Sequence, residues 1–197
     1  MKLGKIKLIL VGDAGVGKSS IIRYALEQTY KEKYSPTVGC ANFDLKVKTN
    51  DDSAITFSVW DTAGHEAYRT LMPIYYQNAA LAFIVFDVTN QNSLNALEEF
   101  NELVDQKAEN VIKILIGNKI DLVQNRVISF ATGDRYAQEI GAIMYKETSA
   151  LTGEGIMELF QEIVNSAEII QSLEAHVRPD VIDIVGDDEA DDGGGCC

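Results

Sequence analysis

The stretch that most constrains this chain is residues 12 to 19, Gly-Asp-Ala-Gly-Val-Gly-Lys-Ser. It lies between an apolar run, Ile6 to Val11, and the helically spaced Ile21, Ile22, Ala25 and Leu26. The local order is strand, glycine-rich turn, helix, and the spacing Gly-x4-Gly-Lys-Ser is that of a phosphate-binding loop. Gly15 and Gly17 can adopt φ > 0 and carry no Cβ, so backbone N–H groups can converge on an anion. The helix that begins near Gly17 adds the positive end of its dipole. Lys18 supplies a point charge for the β- and γ-phosphates, and Ser19 a hydroxyl for Mg²⁺. Asp13, Ala14, Gly15, Val16, Gly17, Lys18, Ser19 and Ser20 are the predicted nucleotide-binding run.

Such a loop needs a sheet behind it. Residues 42–49 alternate apolar and polar, the pattern of a half-exposed strand. Residues 50–53 form a turn, and Ile55 to Trp60 a second strand, completing a hairpin. Ala79 to Phe86 is wholly apolar, which predicts a strand covered on both faces. Beyond it come a helix over Leu94 to Val104, a strand over Val111 to Ile116 and a weaker helix over 130–140 capped by Gly141. A short strand over Ile143 to Lys146 and one long amphipathic stripe from Ile156 to Ile170 complete the series. Strands alternating with helices predict an α/β fold, a mostly parallel sheet with helices on both faces. Its ligand belongs beyond the carboxyl ends of the strands.

The 197 residues suit one such domain, over 1–175, and a tail over 176–197. A net charge of −13 argues against nucleic acid as a partner. Seven acids and no base fall between 180 and 192, followed by Gly193-Gly194-Gly195, so the tail reads as disordered. Cys40, Cys196 and Cys197 make no disulfide framework, which points to a reducing compartment. Neither a signal peptide nor a spanning run is visible, so membrane attachment would be covalent.

Two more motifs sit at strand ends. Asp61-Thr62-Ala63-Gly64 follows the strand ending at Trp60. An acid there holds Mg²⁺ in phosphate-loop proteins, and Gly64 lets a backbone N–H approach the γ-phosphate. Asn118-Lys119-Ile120-Asp121 follows the next strand but one. The Asp121 carboxylate can accept from guanine N1–H and the exocyclic amine. Against adenine it would face a lone pair, an unpaired buried charge that rejects the wrong base. Asn118 can tie this loop to the phosphate loop, and the Lys119 stem can lie over the base. After the sixth strand, Glu147-Thr148-Ser149-Ala150 offers the Ala150 N–H to guanine O6.

With these residues in place the chain resembles the small GTPases of the Ras superfamily, and among them the Rab family, over about residues 5 to 172 and Cys196-Cys197. Trp60 to Gly64, Asn118 to Asp121 and the paired cysteines carry the resemblance. Tyr68-Arg69-Thr70-Leu71-Met72-Pro73-Ile74-Tyr75-Tyr76 is most similar to the endosomal branch. The resemblance implies a six-stranded sheet with one antiparallel strand, two switch loops and a cycle between GDP and GTP forms. It implies that Thr37 joins Ser19 and Asp61 on Mg²⁺, that Tyr34 covers the phosphates and that Tyr30 packs beside guanine. Phe43, Trp60 and Tyr75 would read effectors. Other implied partners are an exchange factor, an activating protein, a prenylation escort and a GDP-dissociation inhibitor. Cys196 and Cys197 would carry lipids that hold the protein on the cytoplasmic face of endosomal membranes, beside a cytosolic pool.

Departures from the family pattern bear on rate. His65 stands where the family has the glutamine that orients the attacking water, and is the candidate catalytic residue. Ala14 stands where Ras relatives carry glycine, and Leu151 where a lysine is usual. Phe43 is one residue further from Thr37 than the family spacing, which leaves a bulge in this strand open. Slow hydrolysis is the leading expectation. A GTP-locked binding module is the alternative, and a phosphate-loop kinase or ATPase is disfavoured by Asp121.

Overall fold

The computed structural model describes residues 4–30, 37–64 and 72–176. Strand β1 (Ile6–Val11) is buried at every residue but Lys7, because it lies inside the sheet with neighbours on both sides. It pairs in parallel with β3 (Ala54–Thr62) and with β4 (Leu81–Asp87). Strand β2 (Cys40–Lys48) runs antiparallel to β3. Strands β5 (Ile112–Asn118) and β6 (Met144–Thr148) extend the parallel side, giving the order β2-β3-β1-β4-β5-β6. The architecture is the expected one, six strands with a single antiparallel member.

Period-2 alternation sends successive residues to opposite faces. Leu8, Leu10, Phe57 and Phe83 pack with Ile21 and Ile22 of α1 (Lys18–Glu27) and Leu159, Phe160 and Ile163 of α6 (Ile156–Asn165). Phe160 sits between Phe57 and Phe83, with ring centroids 5.8 and 5.5 Å away. On the other face Ile9, Ile84 and Phe86 meet Tyr76 of α2 (Met72–Tyr76) and Leu97, Phe100 and Val104 of α4 (Leu97–Lys107). A short α3 (Gln91–Asn95) precedes α4, and α5 (Phe130–Glu139) covers β5 and β6. Helix α5 starts where Ser129 Oγ accepts the Thr132 N–H at 3.1 Å, and it stops before Gly141, at φ 67°.

Several boundaries differ from the sequence reading. The stripe from Ile156 to Ile170 is two helices, α6 and α7 (Ala167–His176). Ser166 breaks it by taking an extended conformation, and its Oγ accepts the Ile169 N–H at 3.3 Å. The helix expected over 94–104 is likewise α3 and α4, joined at Ala96. Strand β3 runs two residues past Trp60, because Asp61 and Thr62 still pair with Ala41 and Cys40. Asp61 therefore belongs to the strand rather than following it.

The register also corrects the reading of Phe43. Pairing from Cys40–Thr62 to Lys48–Ala54 is continuous, with no bulge. Phe43 lies opposite Val59 and packs toward the α1/α6 face, while Trp60 and Tyr75 pack on the other. Asn42, not Phe43, stands beside Trp60. The three aromatics expected to form one partner-reading surface are thus divided by the sheet. Of the expected tail only His176 is described, as the last residue of α7. No described helix is long and apolar enough to cross a membrane.

Candidate functional site

The loop from β1 into α1 is closed by residues that tolerate nothing larger. Gly17 has φ 103°, and a Cβ there would fall 2.1 Å from Asn118 Nδ2. The Gly64 backbone presses on the same loop, where a Cβ would lie 2.5 Å from both the Asp13 carbonyl and Lys18 Nζ. Lys18 is 6% exposed, and its Nζ donates to the carbonyls of Gly12 (2.7 Å) and Asp13 (2.8 Å). Burial lowers its pKa to about 8, opposed by the Asp61 and Asp13 carboxylates. An incoming phosphate would replace neutral carbonyls with charged oxygens and favour the ammonium form.

Beside Lys18 three oxygen-bearing side chains converge. Ser19 Oγ lies 2.9 Å from Thr37 Oγ1, which donates to Asp61 Oδ2 at 3.3 Å. Asp61 is 2% exposed, and its Oδ1 is buried with no hydrogen-bond partner. Burial raises its pKa, against the Ser19 and Thr37 hydroxyls and the Lys18 charge. An orphaned carboxylate oxygen beside two hydroxyls is a hard-oxygen donor set, and it suits Mg²⁺.

The neighbouring cavity, about 340 Å³, is lined by Gly15, Gly17, Ser20, Tyr30, Asn118, Lys119, Asp121, Leu122, Ala150 and Leu151. It lies beyond the carboxyl ends of β1, β5 and β6. One side chain ties its walls together. Asn118 is 1% exposed, donates from Nδ2 to the Val16 carbonyl at 2.8 Å, and accepts at Oδ1 from Thr148 Oγ1 (3.1 Å) and the Ala150 N–H (3.2 Å). Asp121 Oδ1 accepts from Ser149 Oγ at 2.5 Å, so the carboxylate is held at the cavity edge. A larger groove, about 680 Å³, lies between the β2–β3 turn and the α6–α7 junction, away from these loops.

Asp87 and Arg126, which the sequence reading did not name, support the cavity together with Thr148, which it named only within a motif. Asp87, the last residue of β4, pairs with Lys119 (Nζ–Oδ2 2.6 Å) and accepts from the Thr89 N–H and hydroxyl. Desolvation works against the Asp87 carboxylate, yet Lys119 and Thr89 hold its pKa below the ordinary value. Its signal was visible: it is an acid directly after the apolar run Ala79 to Phe86. Thr148 anchors Asn118, as above. Arg126 grips Glu147 with both terminal nitrogens, while Tyr145 OH donates to the same carboxylate at 2.8 Å.

Placed by the sequence at this site, Tyr30 borders the cavity at 40% exposure, and Leu151 does so at 51%. The Ala14 N–H donates to Asp13 Oδ1 at 2.7 Å. Trp60 and Tyr75 lie with ring centroids 6.2 Å apart, and Lys7 Nζ is 4.3 Å from the Trp60 ring centre. Tyr34, His65, Cys196 and Cys197 lie outside the described residues.

Comparison with known proteins agrees with this geometry. The family model described as the Ras family matches residues 7–169. Ras-related protein RABF2b of Arabidopsis thaliana is 40% identical over 169 residues, which is 85% of this chain and 84% of that protein. Ras-related protein RABD2a of the same plant is 36% identical over 197 residues, 97% and 95% of the two chains. Ras-related protein Rab5A of Oryza sativa subsp. japonica is 37% identical over 179 residues, 90% and 86%.

Proposed function

The chain belongs to the Ras family of small GTP-hydrolysing enzymes and, within it, to the Rab switches of membrane traffic, and from that premise we propose that it turns over GTP slowly and acts at endosomal membranes. The observation that carries the reading is the cluster of Ser19 Oγ, Thr37 Oγ1 and the Asp61 carboxylate, whose Oδ2 accepts from Thr37 and whose buried Oδ1 has no partner, next to Lys18. In the proposed cycle these three side chains hold Mg²⁺, which neutralises phosphate charge when bound. Lys18 exchanges its two carbonyl partners for phosphate oxygens. Asp121 and the Ala150 N–H read guanine, Tyr30 packs at the base, and Tyr34 covers the phosphates.

His65 sets the rate in this reading. A glutamine amide offers the attacking water both a donor and an acceptor on a flexible stem. Neutral histidine offers one of each on a rigid ring, and protonated histidine offers donors only. Ala14 adds a methyl group near the γ-phosphate. Residues 1–175 act as the G domain, and Cys196 and Cys197 carry two lipids, since one chain anchors only marginally. Effectors engage the side of Trp60 and Tyr75, and exchange, activating, escort and GDP-dissociation-inhibiting proteins move the switch through its cycle.

The second reading, a GTP-locked module, rests on His65 and Ala14 together. Single-turnover GTP hydrolysis of the wild type and His65→Gln, with and without a matched activating protein, separates the two. A faster glutamine variant and a wild type that responds to the activator support the slow switch. No turnover under any condition selects the locked module. ATP competing with GTP as an equal would overturn both.

A further inference from the structure

One face of the sheet carries a charge opposite to that of the chain. On β1, β3 and β2 the side facing away from α1 and α6 places Lys7, Lys46 and Lys48 in neighbouring rows, with Lys5 just before β1: Lys7 pairs with Ser58, which pairs with Asp44, and Thr56 pairs with Lys46. Lys5, Lys46 and Lys48 are exposed and Lys7 is half-buried. The acid within these rows is Asp44, and it is taken by Lys5 at 2.6 Å. Across the sheet edge Lys46 also borders the groove that holds Asp51, Asp52 and Glu174. Four lysines around one paired acid make a basic face on a chain of net charge −13.

The most acidic segment of the chain, 180–192, follows α7 closely. His176, the last residue of α7, borders a cavity with Gln77 and Asn78. The Gln77 carbonyl accepts from Lys7 Nζ at 2.7 Å, so α7 ends beside the corner of the basic face. Asp180 is four residues on, a reach of about 13 Å at ~3.3 Å per residue. Three adjacent strands span only about 10 Å.

We propose that the acidic segment 180–192 docks on the basic sheet face formed by Lys5, Lys7, Lys46 and Lys48. The charges are complementary, seven acids with no base against four lysines, and the tether makes the encounter intramolecular. An anionic membrane is the competing occupant. It must approach a chain whose overall charge it repels, whereas the segment is already there. Docked, the segment lies beside Trp60, whose ring carries Lys7, and competes with any partner that reads Trp60. This holds whichever nucleotide the protein carries.

Zero-length carbodiimide cross-linking of the full chain, read by mass spectrometry, tests it. Links from acids in 180–192 to Lys5, Lys46 or Lys48 are expected at low salt, falling about tenfold at molar salt, where screening shortens to ~3 Å. Links spread evenly over other lysines such as Lys107 and Lys146, or no links from the segment, would overturn it. Sedimentation of the unlipidated chain with phosphatidylserine vesicles is the second arm, with no pelleting expected. Pelleting that disappears in Lys46→Gln/Lys48→Gln would assign the face to membranes and overturn the docking.

Discussion

Asn118→Ala should lower stability more than a single polar substitution normally does. The side chain makes three hydrogen bonds while 1% exposed, one to Val16 in the phosphate loop and two to Thr148 and Ala150 at the end of β6. Truncation strands the Val16 carbonyl, the Thr148 hydroxyl and the Ala150 N–H. A buried group left unpaired costs about 1–3 kcal/mol, and water entering from the cavity brings each toward the lower end. The sum is about 3 kcal/mol. At ~2–4 °C per kcal/mol for a domain of this size, the melting temperature should fall by about 6–12 °C. Calorimetry of nucleotide-free protein, in which Asn118 Oδ1 is the partner of the Ala150 N–H, reads this directly, with Thr148→Val as a control that removes one bond and should shift it by about a third as much. A change below about 2 °C in Asn118→Ala would refute the claim that one side chain ties the phosphate loop to the base loops.

Asp121→Asn should weaken GDP and favour xanthosine diphosphate, whose C2 carbonyl matches an amide donor; unchanged GDP affinity in a fluorescent-nucleotide titration would remove Asp121 from base recognition. Ser19→Asn should weaken GTP with Mg²⁺ by about tenfold or more while sparing metal-free GDP, because a hydroxyl ligand is lost; equal losses would place Ser19 away from the metal. Burial holds the Cys40 thiol up at about 11, with Asp61 adding to the rise and Lys7 opposing it. The reactive thiolate is scarce until the pH approaches that value, so at pH 8.5 iodoacetamide should modify Cys40 about a hundredfold more slowly than an ordinary exposed thiol. Equal rates by peptide mass spectrometry would contradict the burial.

The run of strands and helices along the chain, the loop geometry and the joining of the three loops were legible, because each follows from short-range pattern, whereas the order β2-β3-β1-β4-β5-β6 is set by long-range pairing. Glycines at fixed offsets, an acid ending an apolar run and an amide before Lys119 are local features with one physical reading each. Phe43 was not legible. Both neighbours, Asn42 and Asp44, are polar, so alternation places Phe43 on one face but does not say which strand residue it opposes. That is fixed by pairing with β3, a partner set by the turn at residues 50–53. The split of the last helix was hidden for a similar reason. Ile156 to Ile170 keeps its apolar period across Ser166, and what breaks the helix is a side-chain oxygen competing for a backbone N–H. Asp87 was legible but overlooked, because its partner Lys119 lies 32 positions away and the pairing of β4 with β5 alone brings them together.

The same register gives the proposed metal corner a route to the proposed partner side. Trp60 and Asp61 are consecutive, so pleating directs one ring outward and one carboxylate inward. Asp61 is held by pairing with Ala41, and the Ala63 N–H donates to the Gly39 carbonyl at 2.9 Å. Neither Asp61 nor Trp60 can move far without breaking this ladder. Thr37, the third member of the proposed metal set, lies outside it, two residues before Gly39, and meets Ser19 and Asp61 through side-chain oxygens alone. In the proposed cycle, loss of the third phosphate or of the metal would therefore act first on Thr37. Gly39, two residues further on, lies close to the Tyr75 hydroxyl: a Cβ on Gly39 would sit 3.8 Å from that oxygen. In the proposed effector surface Trp60 would be the fixed half and Tyr75 the half that reports the nucleotide. A partner that distinguishes the GTP form should then depend on Tyr75 for its selectivity and on Trp60 for affinity in both forms.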